Sequence, residues 1–264
     1  MRYPQWFLLL VAHQPPLAHV QQLQACLRAL GPQIGYALIV NGHRPGEPVE
    51  ALVPGAEASL LQRANPGYGR ACNQLVAQLQ RQGPLPPWLA VLNTDLSWEP
   101  GGCEQLLAWL EQHPEVAAAT PRLCFPDGQQ QFLCKRNPTL LALASRRFVP
   151  RWLKPGWLQR YDRWFTCREQ DYGQVFEAPY LSGCCLWVRT DAFLAEGGFD
   201  PRFFLYFEDA DLTRRLGRHG RTVNLPVATV LHHWGRGSYT SLWLSLVNLY
   251  SAWLYFRKWG CRLW

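Results

Sequence analysis

Residues Trp88–Asp95, WLAVLNTD, form a short apolar run that ends in an amide, a hydroxyl and a carboxylate. Such a run is typical of a buried strand followed by a polar turn. Similar runs lie on both sides of it, and segments with helical spacing, such as Val20, Leu23 and Leu27, separate them. The predicted strands are Trp6–Ala12, Tyr36–Val40, Leu60–Gln62, Trp88–Asn93, Val116–Thr120, Leu181–Arg189, Thr222–Leu225 and Val227–Leu231.

This alternation predicts an α/β fold with a mostly parallel central sheet and helices on both faces. Periodicity is weak from about residue 122 to 178, which indicates a long insertion with one helix near Leu140–Phe148. Another helix is predicted from Glu208 to His219, where Gly220 ends it. Residues 1–240 are thus expected to form one domain, and residues 241–264 a C-terminal amphipathic helix.

Composition favours a compact protein with an anionic partner. Of the 264 residues, 48% are hydrophobic and 17% are charged, which is enough to bury a core. The net charge of +7 would suit nucleic acid, an anionic membrane or a phosphate-rich substrate. The nine cysteines include no C-x-x-C pair, so neither a zinc site nor a disulfide framework is indicated. We therefore expect a cytoplasmic protein.

Two common phosphate-binding motifs do not occur in the sequence. No G-x-G-x-x-G opens a helix, and G-x-x-x-x-G-K-[ST] is missing. This argues against a dinucleotide-dependent oxidoreductase and against a P-loop phosphotransferase. Any phosphates that this chain binds must be held in another way.

Carboxylates occur at two places where they could do chemistry. Asp95 follows a strand and could hold Mg²⁺ or Mn²⁺ against a diphosphate, although an Asp here is often only a turn former. Glu208, Asp209 and Asp211 lie at a helix start, where negative charge is favoured by the helix dipole. The preceding aromatic run Phe203–Phe207 would partly bury them, which would suit a general base.

Two further segments are candidates for ligand binding. His232 and His233 end a strand ahead of a Gly-rich basic segment, 235–238, and could complete a metal site or be structural. Asn65–Asn73 contains two glycines, which let the backbone approach a ligand closely, and Asn73 could offer its amide to a base or sugar. The alternative is an ordinary strand-to-helix turn.

Taken in order, these segments resemble the inverting family 2 glycosyltransferases, which have the GT-A fold. The most specific part runs from Leu181 to Leu212 and includes Gly197–Asp200, and His232-His233 follows it. Within the family the sequence is similar to bacterial rhamnosyltransferases of O-antigen and cell-wall polysaccharide assembly. Asn93-Thr94-Asp95 replaces the usual D-x-D, and Lys135–Pro138 precedes a helix as in that branch.

The resemblance implies a nucleotide-sugar donor, dTDP-L-rhamnose or another such as a UDP-sugar. It implies a saccharide linked to polyprenyl diphosphate as the acceptor, and Mg²⁺ or Mn²⁺ as the cofactor. One departure concerns the base, because Asn41-Gly42-His43 lacks the carboxylate that the family commonly has there. Backbone atoms or Asn73 would then have to recognise the base.

Carried onto this sequence, the resemblance assigns four kinds of site residue. Asp209 is the general base, and Asp95 and His232 bind the metal. Glu208, Gly183 and Trp187 bind the acceptor. The donor-binding residues are Ala12, Asn41, Gly67, Asn73, Asn93, Asp95 and Arg215.

Two other functions compete with glycosyl transfer. A nucleotidyltransferase should have a Gly-rich loop with an Arg after its first strand, but residues 13–16 read His-Gln-Pro-Pro. A non-catalytic sugar- or nucleic-acid-binding module is supported only by the charge and the 13 tryptophans. We do not expect nucleic acid as a partner, because it would require basic and aromatic residues interleaved on one surface.

The C-terminal stretch Leu242–Phe256 is rich in aromatic and aliphatic residues, and Arg257, Lys258 and Arg262 follow it. It is too short and too interrupted by Ser and Asn to span a bilayer easily. A helix that lies in the membrane interface explains both features. The alternative is a helix packed on the core or on a second subunit, as in a homodimer.

Overall fold

The computed structural model describes residues 4–233 and 241–264. Within them one sheet of nine strands runs through the molecule, in the order β3-β2-β1-β4-β8-β6-β9-β5, with β7 paired to β9. The strands are β1 Trp6–Ala12, β2 Ile34–Asn41, β3 Ala58–Gln62, β4 Trp88–Asn93, β5 Leu96–Trp98, β6 Val116–Cys124, β7 Phe176–Glu177, β8 Cys185–Arg189 and β9 Arg221–His232.

Helices cover both faces of this sheet, as the sequence predicted. The α-helices are α1 Leu17–Arg28, α2 Tyr68–Gln82, α3 Gly102–Glu111, α4 Leu140–Phe148, α5 Gly156–Phe165, α6 Thr190–Ala195, α7 Glu208–Leu216 and α8 Leu242–Trp259. Two short 3₁₀ segments occur at Pro48–Gly55 and Arg151–Leu153. One core lies between the sheet and helices α1 and α3, and a second lies on the face covered by α2, α6 and α7.

The central strands are apolar on both sides because both faces of the sheet are covered. All seven residues of β1 are buried, and β4 is buried up to Asn93. β1, β2, β3 and β4 are parallel, and β6 and β9 run in the same direction. β5, β7 and β8 run the opposite way. The predicted α/β class is confirmed.

Several predicted boundaries were wrong for local reasons. The two strands predicted at 222–225 and 227–231 are one strand, β9, and the gap between them is a bulge at Pro226. Proline has no N–H to donate to a ladder, so a bulge accommodates it. β8 begins only at Cys185, because residues 182–184 leave the sheet and contact other elements. Helix α7 ends at Leu216 rather than His219.

A third apolar cluster joins α8 to the domain through Phe203, Phe207, Ala210, Ala252 and Tyr255. The backbone N–H groups that open α4 donate to the carbonyls of residues 262 and 263, at 2.9 and 3.0 Å. The C-terminal segment is therefore packed on the rest of the chain. Among the described residues no helix is long and apolar enough to cross a membrane.

A buried carboxylate fixes the end of α8. Asp211 is fully buried, and its oxygens accept hydrogen bonds from Arg215 Nε at 2.9 Å, Lys258 Nζ at 2.9 Å and Trp259 Nε1 at 2.8 Å. Lys258 also donates to Asp200 at 2.9 Å. Removal of one partner from such a pair leaves an uncompensated buried charge. Asp211 thus has a structural position, although it lies two residues from Asp209.

Candidate active site

Three neighbouring parallel strands bring predicted donor-binding residues to one edge of the sheet. Ala12 ends β1, Asn41 ends β2 and Asn93 ends β4. Ala12 and Asn41 are buried, and the side-chain oxygen of Asn41 accepts a 2.7 Å hydrogen bond from Gln62. The carbonyl oxygen of Asn41 lies 2.9 Å from the ring of His13. Ligands of open α/β sheets bind at this kind of edge.

Asp95 and His232 face each other at the same edge. β5 pairs with the end of β9, and the N–H of His233 donates to the carbonyl of Asp95 at 2.9 Å. This pairing leaves 3.4 Å between His232 Nε2 and Asp95 Oδ2. His232 is buried, and Asp95 Oδ1 is buried without a hydrogen-bond partner among the described residues.

The pKa values of this pair move apart. Burial raises the pKa of Asp95, but the hydrogen bond and charge of His232 lower it by more, so the net pKa is below the usual value. For His232, burial opposes the charged form, but the neighbouring Cys184 and Asp95 outweigh it and raise the pKa to about 10. The two side chains therefore form an ion pair.

Gln131 sets the orientation of the His232 ring. Its Nε2 donates to the His232 carbonyl at 2.7 Å, so its Oε1, 2.8 Å from Nδ1, accepts the ring proton. Nε2 is thus the ring nitrogen that faces Asp95. A ring held at Nδ1 by an amide oxygen, with Nε2 toward a carboxylate, is a common arrangement of metal ligands.

These two residues fit a divalent cation. The unpartnered oxygen of Asp95 and the Nε2 of His232 would be the protein ligands, and bound metal would replace the proton on Nε2. The described residues contain no group of three His, Cys, Asp or Glu side chains that could hold a metal. Phosphate oxygens and water would complete the coordination, as is usual for Mg²⁺.

Residues 182–184 connect the Asp95–His232 pair to the carboxylates of α7. The N–H of Gly183 donates to Asp209 Oδ2 at 3.0 Å, and its carbonyl accepts from the Tyr68 hydroxyl at 2.8 Å. The carbonyl of Cys184 accepts from the N–H of Asn93 at 2.9 Å. A Cβ at Gly183 would lie 3.1 Å from that of Asp209, so a side chain here would push the carboxylate away.

Asp209 and Glu208 differ in their surroundings. Asp209 is partly exposed, and its two oxygens accept from the N–H groups of Gly183 and Ala210. Glu208 is buried, and burial together with the charge of Asp209 raises its pKa well above the ordinary value. Burial thus favours the protonated form of Glu208, which gives the two adjacent carboxyl groups different environments.

The segment before α7 has a strained backbone. Tyr206 and Phe207 both have left-handed conformations, with φ of 70° and 63°. Such residues persist only where the surroundings hold them, and they concentrate at functional sites. Here the carbonyl of Phe204 accepts from Tyr68 N at 2.9 Å, and the carbonyl of Leu205 accepts from Ser251 Oγ at 2.8 Å. Helices α2 and α8 thus both hold the segment that presents Asp209.

The Asn65–Asn73 segment helps to hold the backbone that precedes α7. Gly67 has φ of 95°, and a Cβ there would clash with the carbonyl oxygen of Phe204. The amide of Asn73 donates to Phe199 O at 2.7 Å and accepts from Phe199 N at 3.0 Å. Both ends of the Asn73 amide therefore hold the turn at Phe199, and its contact with a base stays a prediction. Gly67 lies against the Phe204 carbonyl, and its predicted contact with the donor stays a prediction.

Two other predicted site residues lie in the interior. Arg215 donates to Asp211, to Glu196 O at 2.8 Å and to Gly198 O at 2.8 Å, and it is buried, so its guanidinium is not free for a diphosphate. Trp187 is 2% exposed in the core on the α1 and α3 side of the sheet, so it cannot contact an acceptor. The segment 235–238 lies outside the described residues.

The structure adds residues that were not among the predicted site residues. Lys135 and Tyr180 form a backbone bridge, and Lys135 Nζ lies 4.4 Å from the centre of the Tyr180 ring. The nearby Asp209 helps to raise the pKa of Tyr180, after burial as the main cause. Gln131 is equally new. Gln131 and Lys135 lie in the weakly periodic insertion and Tyr180 follows it, so periodicity did not predict their contacts.

Comparison with known proteins places this geometry in a family. No family model matches the chain. Two curated relatives, the N-acetylglucosaminyl-diphospho-decaprenol L-rhamnosyltransferases of Mycobacterium tuberculosis strains CDC 1551 and H37Rv, are each 35% identical over 229 residues. That alignment covers 83% of this chain and 73% of each relative.

Solved structures share the fold at low identity. GalNAc-T7 with UDP, GalNAc and Mn²⁺ matches with a TM-score of 0.62 and 11% identity, over 96% of this chain and 47% of that one. The mannosyltransferase PcManGT of Pyrobaculum calidifontis with GDP-Man and Mn²⁺ matches with a TM-score of 0.58 and 11% identity, over 90% of this chain and 59% of that one. S. aureus TarS 1-349 matches with a TM-score of 0.53 and 12% identity, over 83% of this chain and 57% of that one. The chain spans about half the length of these structures.

A metal-binding measurement tests the Asp95–His232 site. We expect Asp95→Asn and His232→Gln each to weaken Mn²⁺ binding in the presence of dTDP about tenfold to a hundredfold, because each removes a charge-assisted contact. Titration calorimetry or the Mn²⁺ EPR signal gives the affinity.

His233→Gln is the matched control. His233 contacts Asp95 through its backbone N–H, and its ring packs on His19 with centroids 5.1 Å apart. Its substitution should leave the Mn²⁺ affinity unchanged. Equal losses in all three variants, or none, would place the metal elsewhere.

Proposed function

Because the chain belongs to the rhamnosyltransferase-like GT-A glycosyltransferases, we propose that it transfers L-rhamnose from dTDP-L-rhamnose to a saccharide linked to polyprenyl diphosphate. The observation that supports this proposal is the short segment 182–184, which contacts Asp209 through the N–H of Gly183 and His232 through Cys184. A donor diphosphate would bind at the Asp95–His232 pair, and an acceptor hydroxyl at Asp209. The relatives' acceptor, N-acetylglucosaminyl-diphospho-decaprenol, supports the choice of substrate.

The donor would lie along the edge formed by Ala12, Asn41, Gly67 and Asn93, with its diphosphate at Asp95 and His232. A divalent ion bound there, Mg²⁺ or Mn²⁺, would neutralise the charge of the departing nucleotide diphosphate. The base specificity rests on groups at the ends of β1 and β2, since no acidic side chain follows β2. Another nucleotide sugar, such as a UDP-sugar, is the alternative donor.

Asp209 would act as the general base. Its carboxylate takes the proton from an acceptor hydroxyl as the oxygen bonds to the anomeric carbon, and the bond from that carbon to the phosphate oxygen breaks. A single displacement of this kind inverts the anomeric centre. Gly183 orients the carboxylate through its N–H, and the adjacent Glu208, whose pKa burial raises, would help to position the acceptor.

Substitution of Asp209 tests the mechanism. We expect Asp209→Asn to lower the transfer rate about 10²–10⁴-fold, the usual contribution of a general base, with nearly unchanged affinity for the donor. The measurement is rhamnose transfer from dTDP-L-rhamnose to a prenyl-diphosphate-linked N-acetylglucosamine.

Two neighbouring carboxyl groups serve as controls. Asp211→Asn should lower the melting temperature, because Asp211 is bonded to Arg215, Lys258 and Trp259, while folded protein keeps its activity. If Asp209→Asn retains most activity and Glu208→Gln loses it, the base has been assigned to the wrong carboxyl group.

An exposed apolar face supports contact with a lipid surface on the cytoplasmic side, where the nine free thiols would also stay reduced. Residues of one face of α8 are 51–79% exposed, namely Leu242, Trp243, Leu246, Leu249, Tyr250 and Trp253. The opposite face is buried through Val247, Ala252 and Tyr255. The helix is thus apolar on both sides rather than amphipathic as predicted.

Charge favours a membrane over a second subunit as the partner of this face. Residues 139–165 contain six Lys or Arg and one Asp, and residues 241–264 contain three Lys or Arg and no acidic residue. Phe148 and Trp152, 70% and 82% exposed, lie in the first of these segments. A two-fold dimer would bring these like charges together, whereas anionic headgroups would neutralise them.

Liposome co-sedimentation tests the membrane contact. We expect the protein to bind anionic vesicles. High salt should abolish this binding because it screens the attraction to the headgroups. Leu246→Asp and Trp253→Asp should each abolish it because they remove an apolar side chain that inserts into the membrane. Vesicles of neutral phosphatidylcholine are the control. A stable dimer in solution together with no vesicle binding would assign the face to a second copy of the chain.

A further inference from the structure

Lys135 and Arg146 are two cations near Tyr180 that have no anionic partner among the described residues. Lys135 packs on the ring of Tyr180, and Arg146, in the last turn of α4, packs on Phe165 with its guanidinium 5.7 Å from the ring centre. Within residues 4–233 and 241–264, neither side chain takes part in a salt bridge or donates a hydrogen bond to a carboxylate. By contrast, the adjacent Arg136 pairs with Glu169 at 2.7 Å.

The two cations are near enough to affect each other. Lys135 has a pKa of about 8, lowered first by burial and next by the positive charge of Arg146, while Asp209 acts in the opposite direction. The helix dipole favours a cation at the end of α4, so it explains Arg146. It does not explain Lys135, which lies on no helix. Lys135 and Arg146 are both half-buried, and a bound anion would offset the repulsion between their charges.

Lys135 and Arg146 lie on the acceptor side of the proposed site. Tyr180 contacts Lys135 through its ring, and the charge of Asp209 acts on its hydroxyl. The donor diphosphate has its own place at Asp95 and His232, on the other side of residues 182–184. An anion at Lys135 and Arg146 would therefore lie next to the group that receives the acceptor proton, and not next to the leaving nucleotide.

We propose that Lys135 and Arg146 form a subsite for the diphosphate of the lipid-linked acceptor. The inference rests on the proposed function, since it assumes that the acceptor sugar carries a diphosphate. With the sugar between Asp209 and this subsite, its reacting hydroxyl faces the base and its phosphates meet the two cations. Phosphate oxygens bind Lys and Arg through charge-assisted hydrogen bonds.

The route beyond the subsite is apolar. Helix α4 continues from Arg146 to the exposed Phe148, and Trp152 follows in the next turn. The side chain of Arg147 donates to Ser245 of α8, so the end of α4 adjoins the exposed face of that helix. A prenyl chain leaving the diphosphate would thus pass directly from the cations onto the apolar surface.

A comparison of two acceptors tests the subsite. One is N-acetylglucosamine joined to farnesyl through diphosphate, and the other is an alkyl N-acetylglucosaminide without phosphate. We expect Lys135→Gln and Arg146→Gln each to raise KM for the first acceptor about tenfold, with kcat, KM for the donor and KM for the second acceptor unchanged. Lys135→Arg should restore the low KM.

Arg163→Gln, which removes an exposed charge from the neighbouring helix α5, is the matched control and should change no constant. Binding of farnesyl diphosphate, measured by calorimetry with dTDP and Mn²⁺ saturating the donor side, gives a readout independent of transfer. We expect the two Gln variants to bind it about tenfold more weakly, and their melting curves identify any folding defect.

The outcomes separate this inference from the proposed function. If the wild type transfers rhamnose but the Gln variants keep the same KM and the same affinity for farnesyl diphosphate, the subsite is wrong and the function stands. If the wild type transfers no rhamnose to either acceptor, yet the variants bind farnesyl diphosphate more weakly, the function is wrong and the subsite stands. Equal KM changes for both acceptors would give Lys135 and Arg146 a structural role only.

Discussion

The backbone of Gly183 and Cys184 is the constraint on which the rest of the site depends. One N–H and two carbonyl groups of this dipeptide bond to Asp209, Tyr68 and Asn93, which come from α7, α2 and β4. Because these are main-chain groups at the start of a central strand, they cannot move without disturbing the sheet. The separation between the Asp95–His232 pair and Asp209 is therefore set by the fold.

The C-terminal helix contributes to the same geometry from the outside. Asp211 ties Lys258 and Trp259 to α7, and Ser251 bonds the segment whose left-handed residues Tyr206 and Phe207 lead into Asp209. A helix that holds the strained segment on one face and exposes apolar residues on the other connects the site to a surface. Contact of that surface with lipid would thus bear directly on the segment that leads to Asp209, the proposed base.

The sequence was sufficient for features that local pattern determines. The apolar runs of β1 and β4 and the acidic start of α7 are visible in short windows, and a resemblance then joined Asp95 to His232. Sequence patterns were not sufficient where a side chain bonds to backbone groups that are distant in the sequence. Asn73 bonds to Phe199, 126 residues away, and Arg215 bonds to carbonyls in the turn after α6, and no local pattern in the sequence shows these bonds. The resemblance assigned Trp187 to the acceptor, but both faces of this sheet are covered and its side chain is buried in the core.

The two-sided arrangement of the site is tested most directly by a crystal structure of the protein with dTDP and Mn²⁺. We expect the ion between Asp95 Oδ1 and His232 Nε2, with the nucleotide phosphates as its other ligands. Asp209 should remain bonded to Gly183 and open to solvent on the far side of residues 182–184. A metal ion bound by Asp209 or Glu208, or a nucleotide bound away from the ends of β1, β2 and β4, would contradict the assignment of donor and acceptor sides.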